Sequence, residues 1–271
     1  MRYPAVAGRF YSADKNELLA DIEGCFLHEI GPGLPGNTGS ERRISGAIVP
    51  HAGYMASGMN AAHVYKKIAE DGLPEAYVII GPDHHGVPFK AVLCNEEFLT
   101  PLGPCKIHGD IVERLSELIP CSCAAHRYEH SVEVQVPFLQ FIDKDPKIVP
   151  IIMRDQSKAS AEKLAASIKE ACKGRDVVII ASSDMAHYIP KDDAERLNSM
   201  VLEKIAGKDV DGMYSIVEKN GISVCGYGPM ATAMLGAEPS KIEVLKYSDS
   251  WDSLKYDRNA VVGYGSVAMY R

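Results

Sequence analysis

The chain lacks the long apolar runs and basic tracts that mark several classes of protein. No apolar stretch in its 271 residues approaches the roughly 18 that predict a transmembrane helix. The net charge is −7 and the chain contains no long block of Lys and Arg. Both features argue against nonspecific nucleic-acid binding. The N-terminal stretch also lacks the apolar core of a signal peptide. The composition therefore predicts a protein that binds neither a membrane nor nucleic acid.

The seven cysteines are odd in number and irregularly spaced. Without a signal peptide, such a set is typical of reduced thiols in the cytoplasm rather than of a disulfide framework. We therefore expect a cytoplasmic protein with free cysteines, in which Cys25, Cys94 and Cys172 are ordinary buried thiols. The sequence CSC at 121–123 is only a weak indication of a metal site.

Apolar segments alternate along the chain with segments of helical periodicity. The clearest strand candidates are ISGAIVP (44–50), AYVIIG (76–81), KIVPIIM (147–153) and DVVIIASS (176–183). They are apolar on both faces, which indicates a mostly parallel central sheet with helices on both faces, an α/β fold. No repeat or linker interrupts the pattern, so we expect a single domain over residues 1–271.

Several further elements are predicted less directly. Ser12 is expected to cap a helix from about Asp14 to His28, and helical spacing resumes from Ser57 to Ala69. FKAVLC (89–94) is a weaker strand candidate. SVEVQVPFLQFI (131–142) alternates like a strand at first, but Pro137 and the residues after it favour a helix, which we predict.

Three of the predicted strands run directly into polar side chains. These are His51 after the first, Asp83, His84 and His85 after the second, and Asp184 and His187 after 176–183. In open α/β sheets, ligands bind outside the carboxyl ends of parallel strands. If these strands are parallel neighbours, their terminal side chains converge on one crevice. Taken singly, each histidine is more often a loop residue than a ligand, and only the three ends together favour a functional site.

A pair of imidazoles needs at least one further ligand to hold Zn, Fe or Cu. Cys225 lies in a glycine-rich turn before an alanine-rich helix, a position that favours a thiolate. Asp184 and His187 are expected to share one side of a helical turn, where the carboxylate orients a histidine that moves a proton. The alternative is that Asp184 caps the turn and His187 binds a loop. Whether His130 or Glu133 lines the crevice stays open.

Six stretches, in this order, resemble the Memo (mediator of cell motility) family. They are PAVAGRFY (4–11), VPHAGYMASG (49–58), GPDHHG (81–86), EHSVEVQVPFLQ (129–140), SSDMAHY (182–188) and CGYGP (225–229). The resemblance implies a fold shared with class III extradiol ring-cleavage dioxygenases. It also implies a metal site of His51, His84 and Cys225, with Asp184 and His187 as catalytic residues beside it and His85 as a neighbour only.

The cysteine sets this chain apart from those dioxygenases, which bind Fe(II) through two histidines and a carboxylate. A thiolate is softer and is itself oxidisable. We expect a metal-dependent oxidoreductase with Fe or Cu, Zn being possible, that acts on a small molecule or peptide of unknown identity. The alternatives are a zinc-dependent hydrolase or lyase with an activated water, and a non-catalytic protein that binds a peptide or anion.

Overall fold

The computed structural model describes residues 1–271 and contains ten strands and ten α-helices. The strands are β1 (Ile44–Val49), β2 (Ala76–Pro82), β3 (Ala91–Leu93), β4 (Phe98–Thr100), β5 (Gly103–Ile107), β6 (Lys147–Met153), β7 (Val177–Ser182), β8 (His187–Ile189), β9 (Lys241–Asp249) and β10 (Val261–Tyr270). The helices are α1 (Lys15–Leu27), α2 (Met59–Asp71), α3 (Gly109–Ser116), α4 (Cys123–His126), α5 (Val136–Ile142), α6 (Lys158–Ala171), α7 (Lys191–Ala206), α8 (Val210–Asn220), α9 (Tyr227–Ala237) and α10 (Ser250–Leu254).

All ten strands belong to one sheet. The order along it is β4-β5-β6-β2-β7-β1-β10-β8, with β3 also paired to β6 and β9 to β10. The strands from β5 to β1 are mutually parallel, whereas β10 is antiparallel to each of its neighbours. The predicted α/β fold is confirmed, with the parallel part at the centre of the sheet and antiparallel strands on both sides of it.

Helices cover both faces of this sheet. Val78 and Ile80 of β2 pack in one apolar cluster with α3, α6, α7, α8 and α9. Tyr77 and Ile79 point the other way, into a second cluster with α1, α2 and α5. Successive side chains of a strand alternate between faces, so a central strand covered on both sides is apolar throughout. No helix is long and apolar enough to cross a membrane.

The local predictions hold with a few corrections. The first helix is capped by Asp14, whose carboxylate accepts hydrogen bonds from the Asn16 and Glu17 amides, and not by Ser12. The helix predicted from Ser57 begins at Met59, after a π-helical turn over Tyr54–Gly58. The segment 131–142 is helical as predicted, with a 3-10 turn over Glu133–Gln135 that leads into α5.

The expectation of free cysteines throughout is wrong for one pair. Cys94, just after β3, and Cys123, the first residue of α4, form a disulfide with their Cα atoms 4.5 Å apart. They are separated by 29 residues in sequence, and no spacing rule identifies such a pair. Cys25 and Cys172 are buried free thiols, as expected. The cytoplasmic location stays a prediction.

Candidate metal centre

Three neighbouring strands bring the predicted polar residues to one edge of the sheet. β7 lies between β2 and β1 and is parallel to both, with Ser182 opposite Val49 and Ala181 opposite Ile80. Because parallel strands end on the same side, the segments that follow them meet there. The structure thus satisfies the condition under which these side chains were expected to converge.

The structure brings His51, His84 and Cys225 together. One ring nitrogen from each histidine and the Cys225 Sγ all lie within 4.8 Å of one another. His51 Nε2 is 3.2 Å from the sulfur, and the two histidine rings are edge to face with centroids 5.3 Å apart. His51 is buried, whereas the His84 side chain is 30% exposed, so the cluster is open to solvent on the His84 side.

Hydrogen bonds fix the tautomer of His51. The Ser182 hydroxyl has a single proton, which it donates to the Ser131 carbonyl (2.6 Å) while it accepts from the Gln135 amide (2.8 Å). The same oxygen lies 2.9 Å from His51 Nδ1 and has no second proton to donate. It therefore accepts a hydrogen bond from Nδ1, which carries the ring proton. His51 Nε2 is left unprotonated and faces the Cys225 sulfur. Burial, reinforced by the neighbouring histidines, holds the pKa of His51 well below its usual value.

Glu129 fixes the tautomer of His84. Its carboxylate accepts from His84 Nδ1 (2.9 Å) and from the His84 backbone amide (2.7 Å), so Nδ1 carries the proton and Nε2 is free. Burial alone would raise the pKa of Glu129, but the hydrogen bond and charge of His84 outweigh it and the pKa falls below the usual range. Burial likewise opposes the charged form of His84, yet the contact with Glu129 gives a net upward shift of its pKa, so Nε2 is unprotonated only in the neutral ring, above that pKa.

Cys225 reaches this edge through a close contact between two turns. A Cβ at Gly226 would lie 2.6 Å from the Cβ of Ser183, so only glycine allows this approach. The Asp184 amide donates to the Cys225 sulfur at 3.2 Å. Burial is the main cause that raises the pKa of the Cys225 thiol, and the Asp184 carboxylate adds to it. The metal-free thiol therefore keeps its proton near neutral pH.

The expected helical turn at Asp184 and His187 is not formed. Residues 184–186 are irregular and His187 begins β8, so the predicted i,i+3 arrangement is wrong. The buried Asp184 carboxylate accepts from the His51 amide (2.7 Å) and the Ala52 amide (3.3 Å), which fixes the loop that carries His51. Burial raises the pKa of Asp184. His187 is half-buried and its Nδ1 donates to the Ser223 carbonyl at 2.7 Å, leaving Nε2 free.

Of the two residues left open by the sequence, His130 lies at the cluster and Glu133 is tied elsewhere. The His130 ring is 4.6 Å from that of His84 and 5.4 Å from that of His51. Glu133 is buried and accepts from Arg2, the Ala5 and Val6 amides and the Tyr11 hydroxyl. It therefore anchors the N-terminal segment.

Sequence reasoning missed Glu129, Ser182 and Gln135, which set the histidine tautomers. Glu129 stands directly before His130 in EHS, and that adjacency is the only local signal of its role.

Comparison with known proteins identifies the family of this chain. A family model described as "Memo-like protein" matches residues 2–268. The chain belongs to the Memo family. MEMO1 family proteins from Sulfurisphaera tokodaii and Ignicoccus hospitalis are 42% and 43% identical to it, with 98% of each chain covered in both cases. The MEMO1 family protein of Methanothermobacter thermautotrophicus is 39% identical over 99% of this chain and all of its own.

One solved structure shows that the fold extends beyond close relatives. The uncharacterized protein JW3007 from Escherichia coli K12 superimposes with a TM-score of 0.53 at 15% identity. The match covers 82% of this chain and 99% of that one. At this identity the likeness concerns the fold alone, and any function has to be argued from the site.

Proposed function

We propose that this Memo family protein is a metal-dependent oxidoreductase that holds Fe or Cu through His51 Nε2, His84 Nε2 and Cys225 Sγ. The observation that carries the proposal is the matched preparation of the two histidines. Each has its Nδ1 proton donated to a fixed oxygen, on Ser182 and on Glu129, which leaves Nε2 of each neutral ring available to a metal ion, and His51 Nε2 lies 3.2 Å from the Cys225 sulfur. Metal-bound histidines typically have such a partner on the other ring nitrogen.

The donor set fits a borderline or soft metal ion. Two imidazoles and a thiolate suit Cu, Zn and Fe better than Mg or Ca, which prefer oxygen ligands. A redox metal held here supplies one-electron chemistry to a ligand in the crevice. Zn at the same three atoms would instead favour hydrolysis or elimination, so the identity of the metal separates the two readings.

The surrounding residues have separable roles in this proposal. Glu129 orients His84, and Asp184 fixes the His51 loop through the two backbone amides. His187 is proposed to move a proton at its Nε2, because its Nδ1 is already bound to the Ser223 carbonyl and its ring is half-buried beside the crevice. The ligand in the crevice is a small molecule or peptide whose identity is open.

The test is the metal content of untagged protein purified without oxygen. We expect Fe or Cu near one equivalent in the wild type and a large loss in Cys225→Ser, because a hydroxyl is a poor replacement for a thiolate. Cys25→Ser and Cys172→Ser are matched controls, since both thiols are buried and free but do not belong to the cluster. Equal metal content in all three variants contradicts the proposal, and Zn in place of Fe or Cu favours the hydrolytic reading.

A further inference from the structure

Beside the cysteine-containing cluster lies a second set of potential ligands that does not include the cysteine. His84, Glu129 and His130 each offer one ligand atom, and these atoms lie within 4.8 Å of one another. Oε1 of Glu129 is 2.9 Å from His84 Nδ1 and 3.4 Å from His130 Nδ1. The set contains two imidazoles and one carboxylate, a combination that binds hard and borderline divalent ions such as Mn²⁺ and Fe²⁺.

The spacing of these atoms suits a metal ion. Ligands at right angles around an ion, each about 2.1 Å from it, are about 3.0 Å apart. The two nitrogen–oxygen separations, 2.9 and 3.4 Å, are near that value, so the three side chains can take neighbouring coordination positions once the Glu129 carboxylate turns out of its hydrogen bond with His84 Nδ1. By contrast, tetrahedral sites that include a thiolate have longer bonds to sulfur, of about 2.3 Å.

Glu129 also has the charge and the free capacity for an ion. Its side chain is 1% exposed, and a buried carboxylate requires a compensating positive group. Arg2 donates to the Glu129 backbone carbonyl and to Glu133, not to this carboxylate. Only three hydrogen bonds reach the carboxylate, from His84 Nδ1, the His84 amide and the Ser131 amide, so acceptor positions remain.

We propose that His84, Glu129 and His130 form a second metal position, which takes a hard or borderline divalent cation without a thiolate and shares only His84 with the position at Cys225. An ion there takes the place of the proton that His84 Nδ1 now donates to Glu129, and the neutral ring then carries its proton on Nε2, so that His84 serves one position at a time. His84 thus presents Nδ1 to one position and Nε2 to the other. The His84 and His130 side chains are 30% and 18% exposed, which leaves the new position open to solvent.

The two positions differ in the softness of their ligands, so that different metal ions can be used to measure binding at each position. Every nitrogen-containing site binds Mn²⁺ less tightly than Co²⁺ or Zn²⁺, but a carboxylate suits Mn²⁺ better than a thiolate does, so added Mn²⁺ should occupy the second position rather than the Cys225 position. The proposal therefore does not depend on the function proposed above, and the two can fail independently. Thiolate ligation of Co²⁺ gives an intense sulfur-to-metal absorption band, which reports the Cys225 position alone.

The experiment titrates Mn²⁺ into the full chain after removal of metals, with free Mn²⁺ followed by electron paramagnetic resonance. We expect one bound equivalent in the wild type and an affinity lowered roughly ten- to hundredfold in His130→Ala and in Glu129→Gln. Cys225→Ser should keep its Mn²⁺ affinity and lose the Co²⁺ absorption band. His85→Ala is the matched histidine control, because His85 is exposed and lies outside both sets of ligands.

His130→Ala is the deciding variant, since Glu129→Gln also disturbs the orientation of His84. Circular dichroism and thermal unfolding show whether each variant is folded before its affinity is compared. The proposal is overturned if the wild type does not bind Mn²⁺, if His130→Ala binds it as tightly as the wild type, or if Cys225→Ser loses as much Mn²⁺ affinity as His130→Ala. Absence of the Co²⁺ band in the wild type counts only against the function proposed for Cys225.

Discussion

Replacing His126 with glutamine should make the protein less sensitive to acid. His126, the last residue of α4, is 1% exposed, and its Nε2 lies 3.1 Å from the Val92 carbonyl oxygen. Because a carbonyl only accepts, Nε2 is the protonated nitrogen. Nδ1 is buried without any hydrogen-bond partner, so it is an unprotonated acceptor. A second proton on this ring would create a buried cation with an unpaired N–H, close to the Arg2 guanidinium.

The size of the effect follows from the pKa shift. Burial is the main cause that lowers the pKa of His126 to about 4, and the Arg2 charge lowers it further. In the unfolded chain the ordinary value is about 6.5, so between these values the unfolded state binds a proton that the folded state does not. Stability is therefore fully present above the unfolded value and falls as the pH drops towards 4. For this one residue the loss between about pH 7.5 and about pH 5 is about 2 kcal/mol.

The assay is reversible urea unfolding of metal-free wild type and His126→Gln at both pH values. Glutamine does not titrate, and its amide can still donate to the Val92 carbonyl. The stability of the variant at the higher pH is therefore the reference for its stability at the lower pH. We expect the wild type to lose about 2 kcal/mol more of its free energy of unfolding than the variant does on acidification. A difference between the two proteins that is the same at both pH values would refute the reasoning.

Three further predictions concern the metal centre and the segment that supports it. Burial raises the pKa of the Cys225 thiol, so Zn²⁺ binding near neutral pH should release about one proton from this thiol and become tighter as the pH rises. Calorimetry in buffers of different ionisation enthalpy measures the number of protons released. An equal release in wild type and Cys225→Ser contradicts the prediction. Glu133→Gln leaves the buried Arg2 charge uncompensated and should cost about 3–5 kcal/mol in urea unfolding, a loss below about 1 kcal/mol being inconsistent with this account. His187→Ala should keep its metal while turnover, in any assay that becomes available, falls about 10²–10⁴-fold; loss of metal would instead make His187 a ligand.

The sequence predicts the sheet and two of the three residues of the proposed metal site for a simple physical reason. Strands buried on both faces are apolar throughout, so their ends are visible as the points where polar residues begin. His51 and His84 stand directly at such points. Cys225 is 174 residues from His51, and only its glycine turn and the family resemblance identify it.

Other features depend on tertiary contacts that have no local signature. Glu129 is 45 residues from His84, and the disulfide between Cys94 and Cys123 follows no spacing rule. The strand that begins at His187 replaces a predicted helical turn, because pairing with β10 overrides the local preference of a short segment.

The segment 129–135 fixes the tautomers of His51 and His84, the two imidazoles of the proposed metal centre, although neither residue lies in this segment. Glu129 fixes the proton of His84, while the Ser131 carbonyl and the Gln135 amide together make Ser182 an acceptor for His51. Ser131 also donates to the Pro82 carbonyl at the end of β2, which holds this segment against the strand ends. Both rings therefore receive their tautomer from one short stretch of chain, whereas Cys225 is placed separately by the turn before α9, which packs against Ser183. In the proposed metal site, a displacement of 129–135 would therefore weaken the two nitrogen ligands together and leave the sulfur in position.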